Sequence, residues 1–271
     1  KRINLSSALR NERFTFLERN LLELDLLQTL DGCEIVFHQA AQAGVRASWG
    51  TSFKIYCDNN ILATQHLLEA AKERDLKKFV FASSSSVYGD ARKIPVSEDD
   101  PLHPLSPYAV TKLAAENLCQ LYYHNFGVPV VSLRYFTVFG PRQRPDMAFH
   151  KFITALMLDR PLPIFGTGEQ TRDFTYIDDA VQANLLAMES TKNGRIYNIG
   201  GGARISVNDA IALLEEISGK KALRDESAPQ KGDVRHTWAD TTLARKELGF
   251  HPQFDLKQGL QNEFDWLSNL L

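Results

Sequence analysis

Short apolar runs alternate with helically spaced apolar residues along the first half of the chain. Residues 34–38, 78–82 and 130–133 are short, mostly apolar runs of the kind that form buried strands. Between the first two runs, residues 60–74 place apolar side chains on one face of a helix. This alternation predicts a parallel sheet covered by helices on both faces, which is the doubly wound α/β class.

A further helix is predicted after residue 105, with a signal at each end. Ser106 is a favourable N-cap, Pro107 suits the first helical turn, and Gly127 is typical of the residue that ends a helix. The serine run at residues 83–86 follows the second strand directly, where we expect a loop. In open parallel sheets, ligands bind beyond the carboxyl ends of the strands. The serine run is therefore a candidate part of a site.

The α/β alternation breaks after residue 139, where Pro, Arg and Gly become frequent. A helix at residues 178–190 and a strand at residues 195–199 then predict that the chain returns to the sheet. We therefore expect two interleaved domains, one of residues 1–139 with 174–202 and a smaller α/β domain of residues 140–173 and 203–271. The glycines at residues 200–202 lack the spacing of a phosphate-binding loop and predict a turn.

A doubly wound domain that binds a dinucleotide begins with a strand and a glycine-rich turn that leads into a helix. No such pattern occurs at the start of this sequence. Two expectations follow: either the protein binds no dinucleotide, or a strand-helix unit of about 30 residues is missing in front of it. We favour the second.

Composition narrows the class of protein. A chain of 271 residues with 44% hydrophobic content can bury one large core, or a large and a small core that share a cleft. Its net charge of -2 gives no field that would attract a nucleic-acid backbone, so we expect no nucleic-acid partner.

The three cysteines, Cys33, Cys57 and Cys119, are widely spaced and form no C-x-x-C pair. This spacing favours neither a disulfide framework nor a metal site, and we expect no metal ligands. The sequence contains no apolar run of the ~18 residues that a membrane-spanning helix needs. We expect a cytoplasmic enzyme without a membrane partner.

Candidate chemistry lies at Tyr108 and Lys112, four residues apart on the predicted helix and therefore on one face. A free tyrosine has a pKa near 10, so it is a poor base at neutral pH, but a neighbouring ammonium group favours the phenolate. A phenolate can take the proton of a sugar hydroxyl. The spacing alone is also compatible with an exposed tyrosine and a solvated lysine. Ser84 and its neighbours strengthen the catalytic interpretation, because a serine hydroxyl can bridge the reacting oxygen and the phenol.

Six ordered motifs together resemble the extended short-chain dehydrogenase/reductase superfamily, in its nucleotide-sugar epimerase and dehydratase branch. The resemblance covers nearly the whole chain, although Ala63 stands where that family usually has glycine. The motifs are Phe37-His38-Gln39-Ala40-Ala41, Asn60-x-x-Ala63-Thr64, Ser83-Ser84-Ser85-Ser86-Val87-Tyr88-Gly89, Tyr108-x-x-x-Lys112, Leu133-Arg134-Tyr135-Phe136 and Arg172-Asp173-Phe174.

The resemblance implies a bound NAD and a 4-epimerisation. Hydride leaves C4 of a UDP-hexose, the 4-keto sugar rotates, and hydride returns to the opposite face. Tyr108 is implied as the acid/base, Lys112 as the residue that binds the nicotinamide ribose and tunes Tyr108, and Ser84 as the hydroxyl partner. The implied NAD contacts are Ala40, Ala41, Gln42, Asn60, Ala82, Ser83, Tyr108, Lys112, Tyr135 and Val138.

The resemblance also distinguishes reactions. Dehydratases of this superfamily usually carry Asp-Glu where this chain has Ser85 and Ser86, so 4,6-dehydration is disfavoured. The stretch from Thr137 to Phe149 is similar to that of UDP-glucuronate 4-epimerases, and Arg144 is then expected to bind a C6 carboxylate, because a buried carboxylate without a partner is costly. The implied substrate contacts are Ser85, Ser86, Thr137, Arg144, Phe149, Arg172, Gln230, Asp233 and Arg235.

Other readings stay open at this point. If Arg144 packs structurally or binds phosphate, the protein is a UDP-glucose/UDP-galactose 4-epimerase. A nucleotide-sugar dehydratase, a reductase that consumes NADPH, and a binding protein that has lost catalysis are further alternatives. Relatives pair the helix that carries Tyr108 into a four-helix bundle, so a homodimer is expected.

Overall fold

The computed structural model describes residues 2–270. The helices of this part are α1 (Arg2–Leu5), α2 (Leu26–Thr29), α3 (Phe53–Tyr56), α4 (Ala63–Ala71), α5 (Pro107–Phe126), α6 (Ala148–Met157), α7 (Ile177–Glu189), α8 (Val207–Ser218), α9 (Thr242–Leu248) and α10 (Leu256–Ser268). The strands are β1 (Ile35–His38), β2 (Lys78–Ser84), β3 (Val130–Tyr135), β4 (Thr137–Phe139), β5 (Pro161–Phe165), β6 (Thr171–Tyr176), β7 (Arg195–Ile199), β8 (Arg204–Ser206) and β9 (Leu223–Ser227).

A parallel sheet of order β1-β2-β3-β7 forms the centre of the fold. The two central strands, β2 and β3, are buried on both faces. Helices α4 and α5 pack on one side of the sheet, and α7 and α9 pack on the other. The doubly wound α/β class predicted from the sequence is confirmed. None of the helices within residues 2–270 combines the length and the apolar character that crossing a bilayer requires.

The serine run differs from the sequence prediction. Instead of a loop throughout, Ser83 and Ser84 continue β2, where they pair with Arg134 and Tyr135 of β3. A 3-10 turn (Ser85–Tyr88) then leaves the sheet, and Ser84 Oγ accepts a hydrogen bond from Ser86 N at 3.2 Å. Polar side chains are tolerated inside this strand because the hydroxyl of Ser83 has a buried acceptor.

The helix predicted from residue 60 begins earlier. Helix α3, a π-helical segment (Cys57–Leu62) and α4 follow one another without a break, so the helix starts at Phe53. The wider π winding shifts the side chains away from the 3.6-residue period, and for this reason the periodicity does not extend to the true start. The π segment places Asn60 in the interior.

Helix α5 has the ends that the sequence predicts. Ser106 Oγ accepts a hydrogen bond from Ala109 N at 3.2 Å, and Pro107 occupies the first turn. Gly127 ends the helix in the left-handed conformation, at φ +74°. The helix packs on β2, which brings its buried face toward the end of the serine-bearing strand.

The remaining elements form a second core beside the sheet. Helices α6, α8 and α10 surround aromatic residues, among them Phe139, Phe149 and Phe174. Two small sheets, of order β4-β6-β8 and β5-β9, complete this part. Helix α9 leaves it and packs on β7, so residues 244–250 join the core of the parallel sheet.

The glycine run at residues 200–202 forms a turn against β6. A Cβ on Gly201 would lie 1.9 Å from the carbonyl oxygen of Phe174, so no side chain fits. Asp173 accepts a hydrogen bond from Gly201 N at 2.8 Å and another from Ala239 N at 3.0 Å. The turn thereby ties the end of the parallel sheet to the second core.

Candidate active site

A cavity of about 810 Å³ opens beyond the carboxyl ends of β1, β2 and β3 and extends to the second core. Its position agrees with the general placement of ligands in open α/β sheets. The predicted site residues that line it are Ala41, Ala82, Ser83, Ser84, Ser85, Ser86, Tyr108, Lys112, Tyr135, Thr137, Val138, Arg144, Arg172 and Asp233.

Tyr108 lies in the wall of this cavity, in the first turn of α5. Its ring contacts the ring of Tyr56 edge-on, with the centroids 6.3 Å apart. Burial raises the pKa of Tyr108, whereas a hydrogen bond with Ser84 and the positive charge of Arg144 act to lower it. Desolvation outweighs the nearby charges, and the lowering of this pKa by Lys112 and a nicotinamide ring stays a prediction. The phenol is therefore neutral here.

Lys112 is buried one helical turn from Tyr108, with 3% of the residue exposed. Its Nζ lies 4.5 Å from the centre of the Phe81 ring, a cation–π contact. Burial lowers the pKa of Lys112 to about 8, although the nearby Cys119 and Glu116 oppose the shift. Such a lysine is still mostly charged at neutral pH, and an oxygen ligand would stabilise its cation.

His38, at the end of β1, contributes no charge to the site. It is buried, and its Nε2 lies 2.8 Å from Thr64 Oγ1. Burial, with the charge of Lys112, lowers the pKa of His38 to about 4, so the ring is neutral.

A buried polar network supports the serine strand from behind. Ser83 Oγ donates to Glu116 Oε2 at 2.6 Å, and Arg134 binds both oxygens of the same carboxylate. Arg134 also donates to the hydroxyl of Tyr88 at 2.7 Å, and this hydroxyl donates to Asn198 at 2.7 Å. The network joins β2, β3, α5 and β7 directly behind the cavity.

The opposite end of the cavity is positively charged. Arg172 donates to the carbonyl oxygens of Thr171 and Arg235, at 2.9 and 3.2 Å. Burial lowers the pKa of Arg172, and the neighbouring Arg46 acts in the same direction, but an arginine stays charged. Arg46 lies over the Phe165 ring at 4.0 Å and forms an ion pair with Asp233 at 2.7 Å. A guanidinium group so placed suits phosphate oxygens.

Thr137 begins β4, Arg144 lies in the turn that follows this strand, and both residues line the cavity. The guanidinium of Arg144 is 3.0 Å from Asp146, and this pair is largely exposed. Arg144 is close enough for its charge to act on Tyr108. The cavity lining therefore contains the Arg144 cation, the hydroxyl of Thr137 and the phenol of Tyr108.

Residues 1–200 of the chain match the model of the NAD dependent epimerase/dehydratase family.

The chain belongs to the NAD-dependent epimerase/dehydratase family.

Several members of this family are close relatives. An uncharacterized UDP-glucose epimerase of Bacillus subtilis is 49% identical over 268 residues, which is 98% of this chain and 84% of that protein. A UDP-glucuronate 4-epimerase of Thermodesulfobacterium geofontis is 40% identical over 97% of this chain and 82% of its own length. The crystal structure of UDP-glucuronic acid 4-epimerase from Bacillus cereus, in complex with UDP-glucuronic acid and NAD, has a TM-score of 0.97 at 48% identity. That match covers 99% of this chain and 86% of the other.

The residues that line the cavity fit a bound NAD. Within residues 2–270, the structure records no hydrogen-bond acceptor for the buried Lys112 Nζ, and a ribose hydroxyl would provide one. Ala41, exposed beside β1, leaves room for a flat ring system. Tyr135 closes this side, with its hydroxyl 2.9 Å from Asn184.

Some predicted contact residues do not line the cavity of this epimerase-family fold. Phe149 is 1% exposed and packs on Phe139 and Phe174, so the structure gives it a packing role instead of the expected substrate contact. Arg235 is exposed, and it is its backbone carbonyl that binds Arg172. The predicted residues outside the lining are Ala40, Gln42, Asn60, Phe149, Gln230 and Arg235.

Asn60 instead shapes the loop beside the cavity. Its side chain accepts from Gln42 N at 2.7 Å and donates to Gln42 O at 3.0 Å. It also donates to Thr111 Oγ1 on α5 at 2.9 Å. Through these bonds Asn60 fixes the loop after β1 relative to the helix that carries Tyr108.

Sequence reasoning missed several charged residues of the site. Glu116 lies four residues after Lys112 on the same helical face, a signal that was present in the sequence. Arg46 and Arg142 carried no recognisable signal, because their positions depend on how the two cores meet. Glu263, which binds the turn after β4, comes from a helix far away in sequence.

Proposed function

We propose that the protein catalyses NAD-dependent 4-epimerisation of UDP-glucuronate to UDP-galacturonate through a transient 4-keto sugar. The observation that carries the proposal is the presence of Arg144 and Tyr108 in one cavity, close enough for the arginine charge to act on the phenol. A sugar whose C4 faces Tyr108 would present its C6 carboxylate to Arg144. The relative from Bacillus cereus, solved with UDP-glucuronic acid and NAD, supports this substrate.

Tyr108 acts as the acid/base. Its Oη takes the proton of the sugar 4-hydroxyl, and Ser84, which lines the same cavity, stabilises the phenolate that this transfer needs. Oxidised nicotinamide, when bound, supplies a reversible hydride acceptor and a positive charge beside the phenol. Lys112 holds the ribose and adds its own charge. Together these contributions oppose the effect of burial, which raises the pKa of Tyr108.

Arg144 holds the carboxylate, with Thr137, Ser85 and Ser86 as hydroxyl donors. All four side chains line the cavity. A 4-keto uronate is a β-keto acid, and an ion pair with its carboxylate hinders loss of CO2 while the sugar rotates. Arg172 binds the diphosphate, and Asp233, Gln230 and Arg235 belong to the segment beside it.

A neutral hexose is the second candidate substrate. The relative from Bacillus subtilis that is 49% identical carries the name of a UDP-glucose epimerase. Arg144 would then bind only Asp146, in the exposed ion pair described above. Dehydration is less favoured, because Ser85 and Ser86 offer no carboxylate in the cavity wall.

Turnover of UDP-glucuronate and UDP-glucose by purified full-length protein tests the substrate. We expect a strong preference in kcat/KM for the uronate and no net change in reduced-nicotinamide absorbance. Arg144→Ala should remove this preference, whereas Arg160→Ala, at an exposed arginine outside the cavity, should leave it intact. A preference of the unchanged protein for UDP-glucose would reject the uronate proposal, and continuous consumption of reduced nicotinamide would identify a reductase.

We also propose a homodimer formed through α5 and the helix that starts at α3. Exposed apolar side chains on these helices support it: Val110 is 46% exposed, Leu121 54%, Ile55 50% and Leu62 42%. Light scattering coupled to gel filtration measures the mass, and a monomer at micromolar concentration would reject the dimer.

We also propose a cytoplasmic location. We propose in addition a division into two domains, residues 1–139 with 174–202 and residues 140–173 with 203–271. The free thiol of the exposed Cys33 suits a reducing compartment.

A further inference from the structure

The turn that links β4 to Arg144 contains two residues with positive φ. Gly140 has φ +129° and Arg142 has φ +71°. The second value lies in the left-handed region, which a residue with a side chain rarely adopts. Both residues line the cavity. Such conformations persist where the surrounding structure imposes them, and they are frequent at functional sites.

Three hydrogen bonds of side chains impose this conformation, together with the backbone bond from Gln143 N to Gly140 O at 3.1 Å. Gln143 donates from Nε2 to Val138 O at 3.1 Å, and its Oε1 accepts from His150 N at 3.1 Å. The third bond comes from outside the turn and its neighbours in sequence: Gly140 N donates to Glu263 Oε2 at 2.8 Å. The C-terminal helix α10 therefore holds the centre of the turn.

The carboxyl group of Glu263 is unfavourable for stability at this position. It is 0% exposed, and its Oε1 has no hydrogen-bond partner among residues 2–270. Burial raises its pKa to about 8, and only the bond from Gly140 acts against this shift. A carboxyl group in an apolar core destabilises a protein, and an apolar side chain of similar size is often more stable there. Packing alone does not explain a glutamate here.

Near Glu263, helix α10 packs closely against β4. A Cβ on Gly259, one helical turn before Glu263, would lie 2.6 Å from the Phe139 ring. A Cβ on Gly140 would lie 2.7 Å from Ile177 Cγ2. Gly140 therefore has almost no freedom to move sideways, and the carboxyl of Glu263 fixes the direction of its N–H group.

We propose that Glu263 is a positioning residue of the substrate site: its carboxyl holds the turn after β4 so that Thr137 and Arg144 face Tyr108. The proposal rests on the proposed function, since it assigns these two residues to the sugar. Glu263 itself touches no substrate, and it acts through the backbone of Gly140.

Three variants of the full-length protein test this role. Glu263→Gln keeps an oxygen acceptor for Gly140 N–H. Glu263→Met has a similar volume but no acceptor of comparable strength. Leu267→Met, one helical turn further on at a residue with 2% exposure, changes the same core without approaching the turn and is the control.

For Glu263→Met we expect unchanged or higher thermal stability together with a loss of kcat/KM for UDP-glucuronate of about 10- to 100-fold, the scale of a small misplacement in a site. NAD affinity should stay the same. Glu263→Gln should retain activity within a few-fold of the unchanged protein, and Leu267→Met should match it. Equal activity of Glu263→Met and Leu267→Met would overturn the proposal.

If Glu263→Met does not fold, Glu263→Asp, which withdraws the carboxyl from Gly140, replaces it: lower kcat/KM at unchanged stability supports the role, and full activity rejects it. If the unchanged protein epimerises no UDP-sugar, the proposed function fails. The calorimetric affinity of the same variants for UDP-glucuronate then tests Glu263 separately, and equal affinities reject its positioning role.

Discussion

Arg134 and Glu116 form an ion pair in the interior of the protein, with Arg134 Nη2 2.6 Å from Glu116 Oε1 and side chains that are only 2% and 1% exposed. The pair joins strand β3 to helix α5. Since Ser83 of β2 donates to the same carboxylate, one buried group fixes three of the elements that carry the candidate site.

Breaking this pair on one side should be strongly destabilising. Glu116→Leu leaves the Arg134 cation buried without its partner, which typically costs about 3–5 kcal/mol of unfolding free energy. The double variant Glu116→Leu with Arg134→Met removes both charges and should recover most of this loss. Urea denaturation of the three proteins measures the effect. A single variant as stable as the unchanged protein would show that the pair contributes little.

The catalytic role of Tyr108 predicts a selective loss of activity in Tyr108→Phe. Without the hydroxyl the sugar proton has no acceptor, so kcat should fall by about 100- to 10,000-fold, the usual range for acid/base groups. NAD affinity and melting temperature should stay close to those of the unchanged protein, because the ring is retained. Undiminished interconversion of the two sugar isomers would remove Tyr108 from the mechanism.

Asp146 should compete with the substrate for Arg144. The two side chains are 3.0 Å apart and are 44% and 62% exposed, so their attraction is weak. Asp146→Asn should therefore lower the KM for UDP-glucuronate by no more than about five-fold, the worth of an exposed pair. The KM for UDP-glucose should not change. Steady-state kinetics on both sugars, with Asp178→Asn as a control outside the cavity, makes the comparison.

Glu263 should make stability depend on pH. Its pKa in the folded protein is raised to about 8, whereas a glutamate in the unfolded chain titrates near its ordinary value. Between these values the folded state binds a proton that the unfolded state has released, so stability falls as the pH rises. The Glu263→Gln variant lacks the titrating carboxyl and therefore lacks this dependence of stability on pH. Its stability relative to the unchanged protein should therefore rise with pH, by up to about 1.4 kcal/mol per unit.

Denaturation in urea at pH 5.5 and pH 7.5 provides the measurement. Tyr176, whose pKa is raised in part by Glu263, stays neutral at both values and does not interfere. A stability difference between Glu263→Gln and the unchanged protein that is equal at the two pH values would contradict the buried, protonated carboxyl.

The sequence predicted those elements whose signals are local. The strand at residues 195–199 and the helix that Ser106 begins and Gly127 ends occur as expected, because caps and apolar runs act over a few residues. The early start of the helix at Phe53 was not predicted, since a π-helical segment interrupts the period on which the reading depends.

The candidate site was predictable where its residues follow strands or share a helix face. Tyr108 and Lys112 line the cavity as their spacing suggests, and the serine run joins them there. Phe149 was misplaced because an aromatic residue next to site residues has the same sequence signal whether it faces a ligand or a core. Glu263 and Arg46 could not be found at all, since only the meeting of the two cores brings them near the site.

The position of β7 beside β3 has a consequence for the way the protein is made. Val131 pairs with Arg195, and the second core contributes most of the chain that separates them. One edge of the sheet consequently stays exposed on the ribosome until a large part of the second core has been synthesised. Nascent chains arrested within α7 would display an unpaired β3, and these are the intermediates on which chaperones should act.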